Sequence, residues 1–370
     1  GLGLMIFATL VMIALGRRIS LRNRMLIRES MNTTSLGGLV RLTKWFSILA
    51  LLLEFGGACL LSIRFIPLYG TQTGILMSVF HAVSAFCNAG FDLFGNYASL
   101  SAFQRDPMVL LTVTTLIILG GLGFFVLTEF LQCRFHFRRF SLHTKLVLVL
   151  TGALLVLGMV LILALEWDNP ETLGNPSLNF WDKLVNAFFQ STTLRTAGFS
   201  TLDQAKLTDS SKLINVLFMF VGASPASTGG GVKTTTISVV ILLVISVIRG
   251  RDTVGVFGKQ LPSNTVKRAL AIVVISIGMV IVCTCALSLS ERVSGKKMID
   301  LLFEATSAFA TVGLSSANTP TLSSFSQTLL IPLMFFGRVG PLTMAFALAS
   351  RMDNNPRNRM HYPEEKIMIG

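Results

Sequence analysis

A twelve-residue pattern that occurs three times is the feature that most constrains the fold of this chain. Its copies are Phe80–Phe91 (FHAVSAFCNAGF), Phe188–Phe199 (FFQSTTLRTAGF) and Phe303–Leu314 (FEATSAFATVGL). Each copy begins as a short apolar helix and ends in small residues followed by a shared glycine, which permits backbone conformations that other side chains disfavour. Such self-similarity predicts one structural unit repeated around a common axis.

The composition places these copies in a membrane. Hydrophobic residues make up 52% of the 370 positions, charged residues make up 13%, and the mean hydropathy is +0.69. Apolar windows of about 20 residues, the length that crosses a bilayer, recur along the chain. A short helix that stops halfway through hydrocarbon leaves free carbonyl groups, which is tolerated only where they face a cavity, water or an ion. The sequence therefore predicts an all-α polytopic membrane protein.

Spans and copies combine into a unit of span, short pore helix, filter turn and span, arranged around a central pore. We expect four such units, at 1–40 (second span of the first unit plus a loop), 41–142, 143–265 (with a broken span) and 266–370 (with a tail). The first unit is incomplete, and the repeat spacing predicts a fourth copy of the pattern roughly 25 to 30 residues before Gly1. Four copies would close a pseudo-fourfold ring.

Basic residues indicate the orientation of the chain. Lys and Arg concentrate in the connections that follow residues 15, 133 and 248 and in the tail after residue 350, whereas the opposite loops carry more acidic residues. By the positive-inside rule, the basic connections and both termini lie in the cytoplasm and the glycine turns enter from outside. The net charge of +13 sits in short loops between apolar segments, so it does not indicate a nucleic-acid partner.

The glycine turns are candidate sites for a cation. A ring of backbone carbonyls can replace the hydration shell of an ion, and the residues before each glycine have small or modest side chains. Arg195 is the one Lys or Arg in the copies and Glu304 the one acid, so charged rings for chloride or calcium are absent. A monovalent cation remains, with tight-packing turns that hold no ion as the alternative. The candidate filter residues are Cys87, Asn88, Ala89 and Gly90, then Arg195, Thr196, Ala197 and Gly198, then Ala310, Thr311, Val312 and Gly313.

A second unusual stretch, Gly222–Lys233 (GASPASTGGGVK), interrupts an apolar span. Pro225 disfavours helix geometry and three consecutive glycines remove stiffness, so we expect a mobile intramembrane loop that plugs the pore below the filter. Arg338, an ionisable residue inside the last span, could anchor this loop by donating to its carbonyls. The alternatives are a helix kink for close packing and an arginine that snorkels to the membrane edge. The candidate gate residues are Ala223, Ser224, Pro225, Ala226, Ser227, Thr228, Gly229, Gly230, Gly231, Lys233 and Arg338.

Two other functional classes compete with a pore. A coupled secondary transporter with a midplane cation site, driven by sodium or protons, also uses broken helices and repeats. Its repeats are usually inverted, whereas all the units here have one polarity. A membrane enzyme would need a converging cluster of His, Asp, Glu or Cys, and the four histidines do not suggest one. We therefore expect a transport protein and not an enzyme.

The whole chain resembles the KtrB family, the membrane subunits of bacterial Ktr potassium uptake systems in the Trk/Ktr/HKT superfamily. The residues that carry the resemblance are GASPASTGGGVKTTT from Gly222, TAGFST at Thr196–Thr201, GRVGPLT at Gly337–Thr343 and the tail YPEEKIMIG. The resemblance implies a four-repeat potassium pore in the bacterial inner membrane. It also implies sodium-stimulated uptake and a gate formed by Ala223–Gly231 with Arg338.

The resemblance further implies partners and cofactors. It predicts a homodimer that binds a cytoplasmic ring of RCK-type regulatory subunits of the KtrA kind. ATP or ADP is then expected on that partner, with no covalent cofactor on this chain. Potassium is the expected substrate and sodium a second candidate. The first filter position, which influences the choice between potassium and sodium in this superfamily, lies outside the sequence, so selectivity is inferred from three glycines.

Overall fold

The computed structural model describes residues 39–133, 136–251 and 253–340, with side chains from residue 45 onward. The predictions for most of the first unit, for a copy of the pattern before Gly1 and for the tail after Gly340 lie outside this part of the chain. Three of the described helices are long and apolar enough to cross a membrane, over Trp45–Tyr69, Leu142–Glu166 and Ser263–Ser290. The protein is a helical membrane protein with several spans, as the composition predicts.

Connections that range from a single residue to twenty residues join the helices, and the β-structure of the described chain is one small hairpin and one isolated bridge. The helices are α1 Leu39–Tyr69, α2 Thr71–Phe86, α3 Pro107–Leu122, α4 Phe124–Gln132, α5 Leu142–Glu166, α6 Phe180–Thr193, α7 Asp209–Phe220, α8 Thr234–Ile248, α9 Ser263–Ser290, α10 Met298–Ala310 and α11 Ser324–Val339. Strand β1 (Gly255–Val256) pairs antiparallel with β2 (Lys259–Gln260). Single turns of 3-10 helix occur at Ser101–Phe103, Phe137–Arg139, Gln204–Lys206 and Thr319–Thr321.

The helices follow the order of the expected unit three times, as α1–α2–α3, α5–α6–α7 and α9–α10–α11. The short middle helix packs against the first span of its own unit, so that α2 lies on α1, α6 on α5 and α10 on α9. The third helix of a unit also packs against the middle helix of the next unit, α3 on α6 and α7 on α10. Neighbouring units therefore interlock.

The predicted span from Met108 to Cys133 is sharply bent within its glycine-rich GGLGF stretch. The chain ends α3 at Leu122 and turns by 95° into α4. The turn is at Gly123, whose φ of +85° is disfavoured for other residues. A Cβ atom there would also lie 2.6 Å from the carbonyl oxygen of Pro225, so the glycine allows another segment to approach closely. Hydrophobicity alone does not reveal such a turn.

Phenylalanine fills much of the interior. The fully buried rings belong to Phe65, Phe86, Phe124, Phe189, Phe199, Phe303 and Phe309. Several of them lie in or beside the middle helices α2, α6 and α10, which are therefore surrounded by close-packed side chains. The outward faces of the long spans expose large apolar residues instead, including Leu51 and Phe55 on α1 and Val156 and Val160 on α5. Faces of this kind suit contact with lipid.

A buried glutamate at the end of one helix holds the start of another. Glu166, the last residue of α5, accepts hydrogen bonds from the backbone N–H (2.9 Å) and hydroxyl (2.8 Å) of Thr208, the residue that caps α7. Thr172 donates its hydroxyl to the same carboxylate at 2.5 Å. Hydrogen bonds to a charged group contribute about 1.5–3 kcal/mol each, so Glu166 ties the first and third helices of its unit, α5 and α7, together.

Glu291 has the same role after α9. It accepts hydrogen bonds from the backbone N–H of Ser323 (2.8 Å) and the hydroxyl of Ser326 (2.7 Å) at the start of α11. These two donors lower the pKa of Glu291 to about 2, because they stabilise the charged carboxylate. Both units thus fasten the first helix to the third through a glutamate and a hydroxyl group at the start of the third helix.

The unit that starts with α1 uses opposite charges at the same place. Asp106 caps α3, and Arg64 of α1 donates to its carboxylate at 2.6 Å. Glu129 of α4 forms a further clamp of the glutamate type, accepting from the N–H (2.6 Å) and hydroxyl (2.8 Å) of Ser141 at the start of α5. The sequence leaves the role of Glu129 open, between an arginine partner and a position at a membrane edge. The structure makes it the partner of a helix start.

Candidate ion pathway

The three copies end their helices in the same backbone conformation. The ninth residue of each is left-handed, with φ of 49° at Asn88, 69° at Thr196 and 54° at Thr311. The shared glycine two residues later is left-handed as well, with φ of 71°, 85° and 94° in the first, second and third copies. A non-glycine residue in this region costs roughly 1–2 kcal/mol. The same strained position in three segments far apart in sequence indicates a functional constraint.

Hydrogen bonds fix each turn to the end of its own helix. The N–H of Ala89 donates to the carbonyl oxygen of Ser84 at 2.9 Å, and Val312 donates in the same way to Ser307 at 2.9 Å. This six-residue closure satisfies carbonyls that a helix end leaves open. The second copy differs slightly, because Ala197 donates to Thr193 at 3.0 Å and closes a five-residue ring.

Hydroxyl groups brace two of the turns from behind. In the first copy, Ser84 donates to the carbonyl oxygen of Phe91 at 2.8 Å. In the second copy, Thr193 donates to the carbonyl oxygen of Phe199 at 2.5 Å. Both acceptors are the residue after the shared glycine, so the brace spans the whole turn. The turns are therefore held by their own helices as well as by their neighbours.

The shared glycines lie side by side. A Cβ atom on Gly90 would lie 2.5 Å from the carbonyl oxygen of Ala197 and 3.0 Å from the Cα of Gly198. A Cβ on Gly198 would collide with the carbonyl oxygen of Val312, and one on Gly313 would lie 3.7 Å from the Cα of Gly198. The three turns therefore meet edge to edge, with the second turn in contact with both the first and the third. The left-handed backbone favours glycine at all three positions, and the lack of space requires it at Gly90 and Gly198.

Arg195 is buried within the second turn. Its side chain is 5% exposed, and its Nε and Nη2 atoms have no hydrogen-bond partner in the described part of the chain. A buried charge is costly where its donors lack partners, and its field is weakly screened. The second copy therefore carries a buried cationic side chain. The matching positions of the other copies, Cys87 and Ala310, carry no such charge.

Glu54, whose role the sequence leaves open, lies beside the first turn. Its Oε1 atom is 3.9 Å from the Sγ atom of Cys87, so a carboxyl group on α1 approaches the first turn from outside the ring. None of the ion pairs found among the described residues involves it. The contact adds a carboxyl group of α1 to the neighbours of the first turn.

The stretch between α7 and α8 forms a compact loop, which we call the 222–231 loop. Its two ends meet as a parallel bridge between Val221 and Val232. Inside the bridge, Gly222 donates to the carbonyl oxygen of Val232 at 2.9 Å and Ala223 donates to that of Gly230 at 3.3 Å. The chain thus leaves α7, folds back on itself and re-enters α8 at Thr234. This is more than a kink, which was one of the alternatives from the sequence.

The 222–231 loop lies directly against all three copies. A Cβ atom on Gly229 would collide with the hydroxyl of Thr196, and one on Gly230 would collide with the hydroxyl of Thr311. Thr228 donates its own hydroxyl, at 3.3 Å, to the carbonyl oxygen of Phe86, the last residue of α2. The consecutive glycines therefore let the loop pack on the residues that carry the left-handed backbone.

Two other segments, the bend between α3 and α4 at Gly123 and the end of α11, hold the 222–231 loop in place. We call these segments, with their glycines, the breaks of their units. Ser224 donates to the carbonyl oxygen of Gly121 at 3.1 Å, and the N–H of Phe124 donates to that of Ala226 at 3.1 Å. Arg338, on α11, donates from Nη1 to the carbonyl oxygen of Thr228 at 2.6 Å. The guanidinium therefore reaches the loop, as the anchor interpretation requires.

Lys233 supplies a second cationic contact. Its Nζ atom lies 2.7 Å from the carbonyl oxygen of Gly229, four residues earlier in the chain. Two cations therefore donate to adjacent parts of the loop, Lys233 from its own end and Arg338 from the last unit. The sequence places Lys233 among the gate residues but does not indicate its acceptor.

Glycines in the breaks also receive the ends of the middle helices. A Cβ on Gly120 would collide with the carbonyl oxygen of Phe86, and a Cβ on Gly337 would collide with that of Phe309. Phe86 and Phe309 hold the same position, the seventh, in their copies. The repeat thus includes the contact between the end of a middle helix and a glycine of the following helix. In the sequence, these positions are visible only as glycine-rich stretches.

Short helices that enter an apolar bundle, stop, and turn at a shared glycine beside an intramembrane loop define a class of membrane transport proteins. Residues 1–358 match the TrkH family, described as "Cation transport protein". The chain belongs to this family of transporters, and it is not an enzyme. The family resemblance expected from the sequence is confirmed.

Two relatives support this assignment, and one solved structure shows the same fold. The chain is 39% identical over 370 residues to Ktr system potassium uptake protein B of Bacillus subtilis, covering all of this chain and 80% of that protein. It is 36% identical over 371 residues to potassium/sodium uptake protein NtpJ of Enterococcus hirae, covering 81% of that protein. The crystal structure of the potassium transporter TrkH from Vibrio parahaemolyticus has the same fold, with a TM-score of 0.68 at 18% identity, over 94% of this chain and 69% of that one.

Proposed function

We propose that this protein takes up potassium across the membrane through a channel-like pore whose filter is made of backbone carbonyls. The observation that carries the proposal is the edge-to-edge contact of Gly90, Gly198 and Gly313, each two residues after a left-handed residue. Three equivalent turns on one axis can present main-chain oxygens to a dehydrated ion from several sides. The relatives named for potassium uptake and for potassium/sodium uptake support potassium as the ion, with sodium as the second candidate.

In this proposal the filter consists of four consecutive residues in each copy. They start at the residue before the left-handed position and end at the shared glycine. These residues are Cys87–Gly90, Arg195–Gly198 and Ala310–Gly313. Their carbonyl groups replace the water around the ion, and the helix ends behind them, held by Ser84 and Ser307, keep the spacing fixed. The buried cation of Arg195 limits how strongly the ion is held, so that it can leave again.

The 222–231 loop is the proposed gate. It lies against the turns on the side of the breaks, where it obstructs the route that an ion would take after the filter. Arg338 and Lys233 keep it there through the carbonyl oxygens of Thr228 and Gly229. A cation at Arg338 also repels a second cation below the filter, so that opening requires both the loop and the guanidinium to move.

The proposal includes the assembly and orientation expected from the resemblance. The protein forms a homodimer with its termini in the cytoplasm and binds a ring of RCK-type, KtrA-like subunits that carry ATP or ADP. The name of the Bacillus subtilis relative supports the existence of a partner subunit, because that protein is part of a Ktr system. Nucleotide on the ring then changes the position of the 222–231 loop.

Substitution of Gly198 tests the filter. Serine at Gly198 places a side chain on a left-handed backbone and against the carbonyl oxygen of Val312. We expect the ratio of rubidium to sodium flux in proteoliposomes to fall by about tenfold, the equivalent of 1.4 kcal/mol in ion preference. Gly278→Ser is the matched control, because Gly278 lies in α9 with open space around it. Unchanged selectivity in Gly198→Ser, with normal protein yield, would refute the filter assignment.

A further inference from the structure

A cavity lies away from the proposed pathway, where α8, the β1–β2 hairpin and α9 meet. Its volume is about 600 Å³, within the range of about 300–1,000 Å³ that is usual for small-molecule sites. Its apolar lining residues include Leu243, Val266 and Leu270. Its polar lining residues include Gln260, Ser263 and Lys267, and we call these the polar side of the cavity. Ser263 and Lys267 lie where the candidate span Ser263–Ser290 begins, so the cavity combines polar and apolar groups at the start of an apolar helix.

The polar side is electropositive. It contains the first turn of α9, whose N-cap is Pro262, without a side-chain cap or an acidic residue in the first turn. The free N–H groups at such a helix start favour anions. Lys267 follows one turn later and lines the cavity. The segment 249–268 as a whole contains five basic residues and one acidic residue, so no local excess of carboxylates opposes this field.

An exposed apolar stripe continues from the cavity along α9. Leu270, Val274, Ile277 and Ile281 follow one another at helical spacing on one face, with side-chain exposure of 44%, 61%, 44% and 53%. The stripe starts at the cavity wall, since Leu270 belongs to both. It leads into the candidate span Ser263–Ser290 and therefore towards the middle of the membrane. A long apolar chain whose polar end lies in the cavity can follow this stripe.

We propose that this cavity is a binding site for an anionic phospholipid. The phosphate lies at the N-terminus of α9, within reach of Ser263 and Lys267, the glycerol region fills the cavity, and an acyl chain lies along the Leu270–Ile281 face. A free phosphate ion would use the polar side alone. A zwitterionic lipid would present a cationic group to the electropositive side. The combination of positive charge and a continuous apolar track selects a lipid with net negative charge.

The proposal can be tested with three variants of the full chain purified in detergent. Ser263→Glu places a negative charge at the first position of α9, where an acid stabilises a helix, so that variant stays folded. Lys267→Gln removes the cation from the wall. Arg292→Gln is the matched control, because it removes an exposed positive charge just beyond the other end of α9. Binding of phosphatidylglycerol and of phosphatidylcholine to each protein is measured by native mass spectrometry.

We expect wild type and Arg292→Gln to bind phosphatidylglycerol with equal affinity and in preference to phosphatidylcholine. Ser263→Glu and Lys267→Gln should each lose about fivefold in affinity for phosphatidylglycerol, the effect of one charge near an anionic lipid. Wild-type affinity in both variants, or an equal loss in Arg292→Gln, would overturn the proposal. Competition by glycerophosphoglycerol or inorganic phosphate distinguishes a site for the intact lipid from a site for a free anion. Competition as effective as that of the intact lipid would show a site for a free anion and would also overturn it.

Discussion

Removal of the Arg338 guanidinium should open the proposed gate. Arg338 donates to the carbonyl oxygen of Thr228 at 2.6 Å, at the short end of the range for a charged donor. Such a bond contributes about 1.5–3 kcal/mol when it is made in the closed state and lost in the open one. At 1.4 kcal/mol per tenfold, Arg338→Ala would raise the open-to-closed ratio about 10-fold to 150-fold.

The remaining contacts of the loop should keep the rise in the open-to-closed ratio near the lower end of this range. Lys233 still holds the carbonyl oxygen of Gly229, and the hydrogen bonds to Gly121 and Phe124 are untouched. A loop with several anchors relaxes in part when one is removed, so that part of the lost energy is recovered elsewhere. We therefore expect about a tenfold rise in basal flux. Deletion of Ala226–Gly231, which removes the obstruction itself, should give a larger rise in the same direction.

The measurement is rubidium uptake into proteoliposomes that contain the purified protein without any regulatory subunit. Arg105→Ala is the matched control, because Arg105 is an exposed arginine just before the start of α3, at the opposite end of that helix from its break at Gly123. It should behave as wild type. Basal flux in Arg338→Ala that equals that of wild type, at equal amounts of folded protein in the membrane, would refute the gate. A fall in flux would indicate instead that Arg338 shapes the conducting path.

Two further predictions concern the glutamate clamps. Glu166→Gln should lower the thermal unfolding temperature by several degrees, because it removes the charged acceptor of Thr208 and Thr172, whereas Glu171→Gln should have little effect, since Glu171 is exposed and 3.9 Å from its lysine. The clamp at Glu291 should give a pH dependence: its folded pKa is about 2 against 4.5 for an ordinary glutamate, so its stabilisation is complete above pH 4.5 and is lost as the pH falls towards 2. Unfolding temperatures measured across this interval should fall less steeply in Glu291→Gln than in wild type, and parallel curves would contradict the assignment.

The sequence is informative wherever a physical constraint repeats. The shared glycines are visible because each turn needs the same left-handed backbone, and no other residue meets that need without cost. The loop at Gly222 is visible because proline and three glycines contradict a continuous span. The three long helices are visible because lipid requires about 20 apolar residues in succession. These features depend on residue type at fixed local spacing.

The features that the sequence does not reveal depend on contacts between distant segments. The 95° turn at Gly123 lies in an apolar run, and its cause is the approach of Pro225, about a hundred residues later. Glu166 lies 42 residues before Thr208, so no local pattern marks the pair. Serine or threonine followed three residues later by another hydroxyl residue, as at Ser323 and Ser326, marks the helix starts. It does not mark the glutamate that they bind.

The packing of each third helix on the middle helix of the following unit bears on how the protein is made. When α3 leaves the ribosome, the surface that it will cover on α6 has not yet been synthesised, and the same holds for α7 and α10. A newly inserted unit therefore has one helix surface without its packing partner until the next unit is inserted into the membrane. The order of translation and the order of assembly are coupled, and each newly inserted unit completes the one before it.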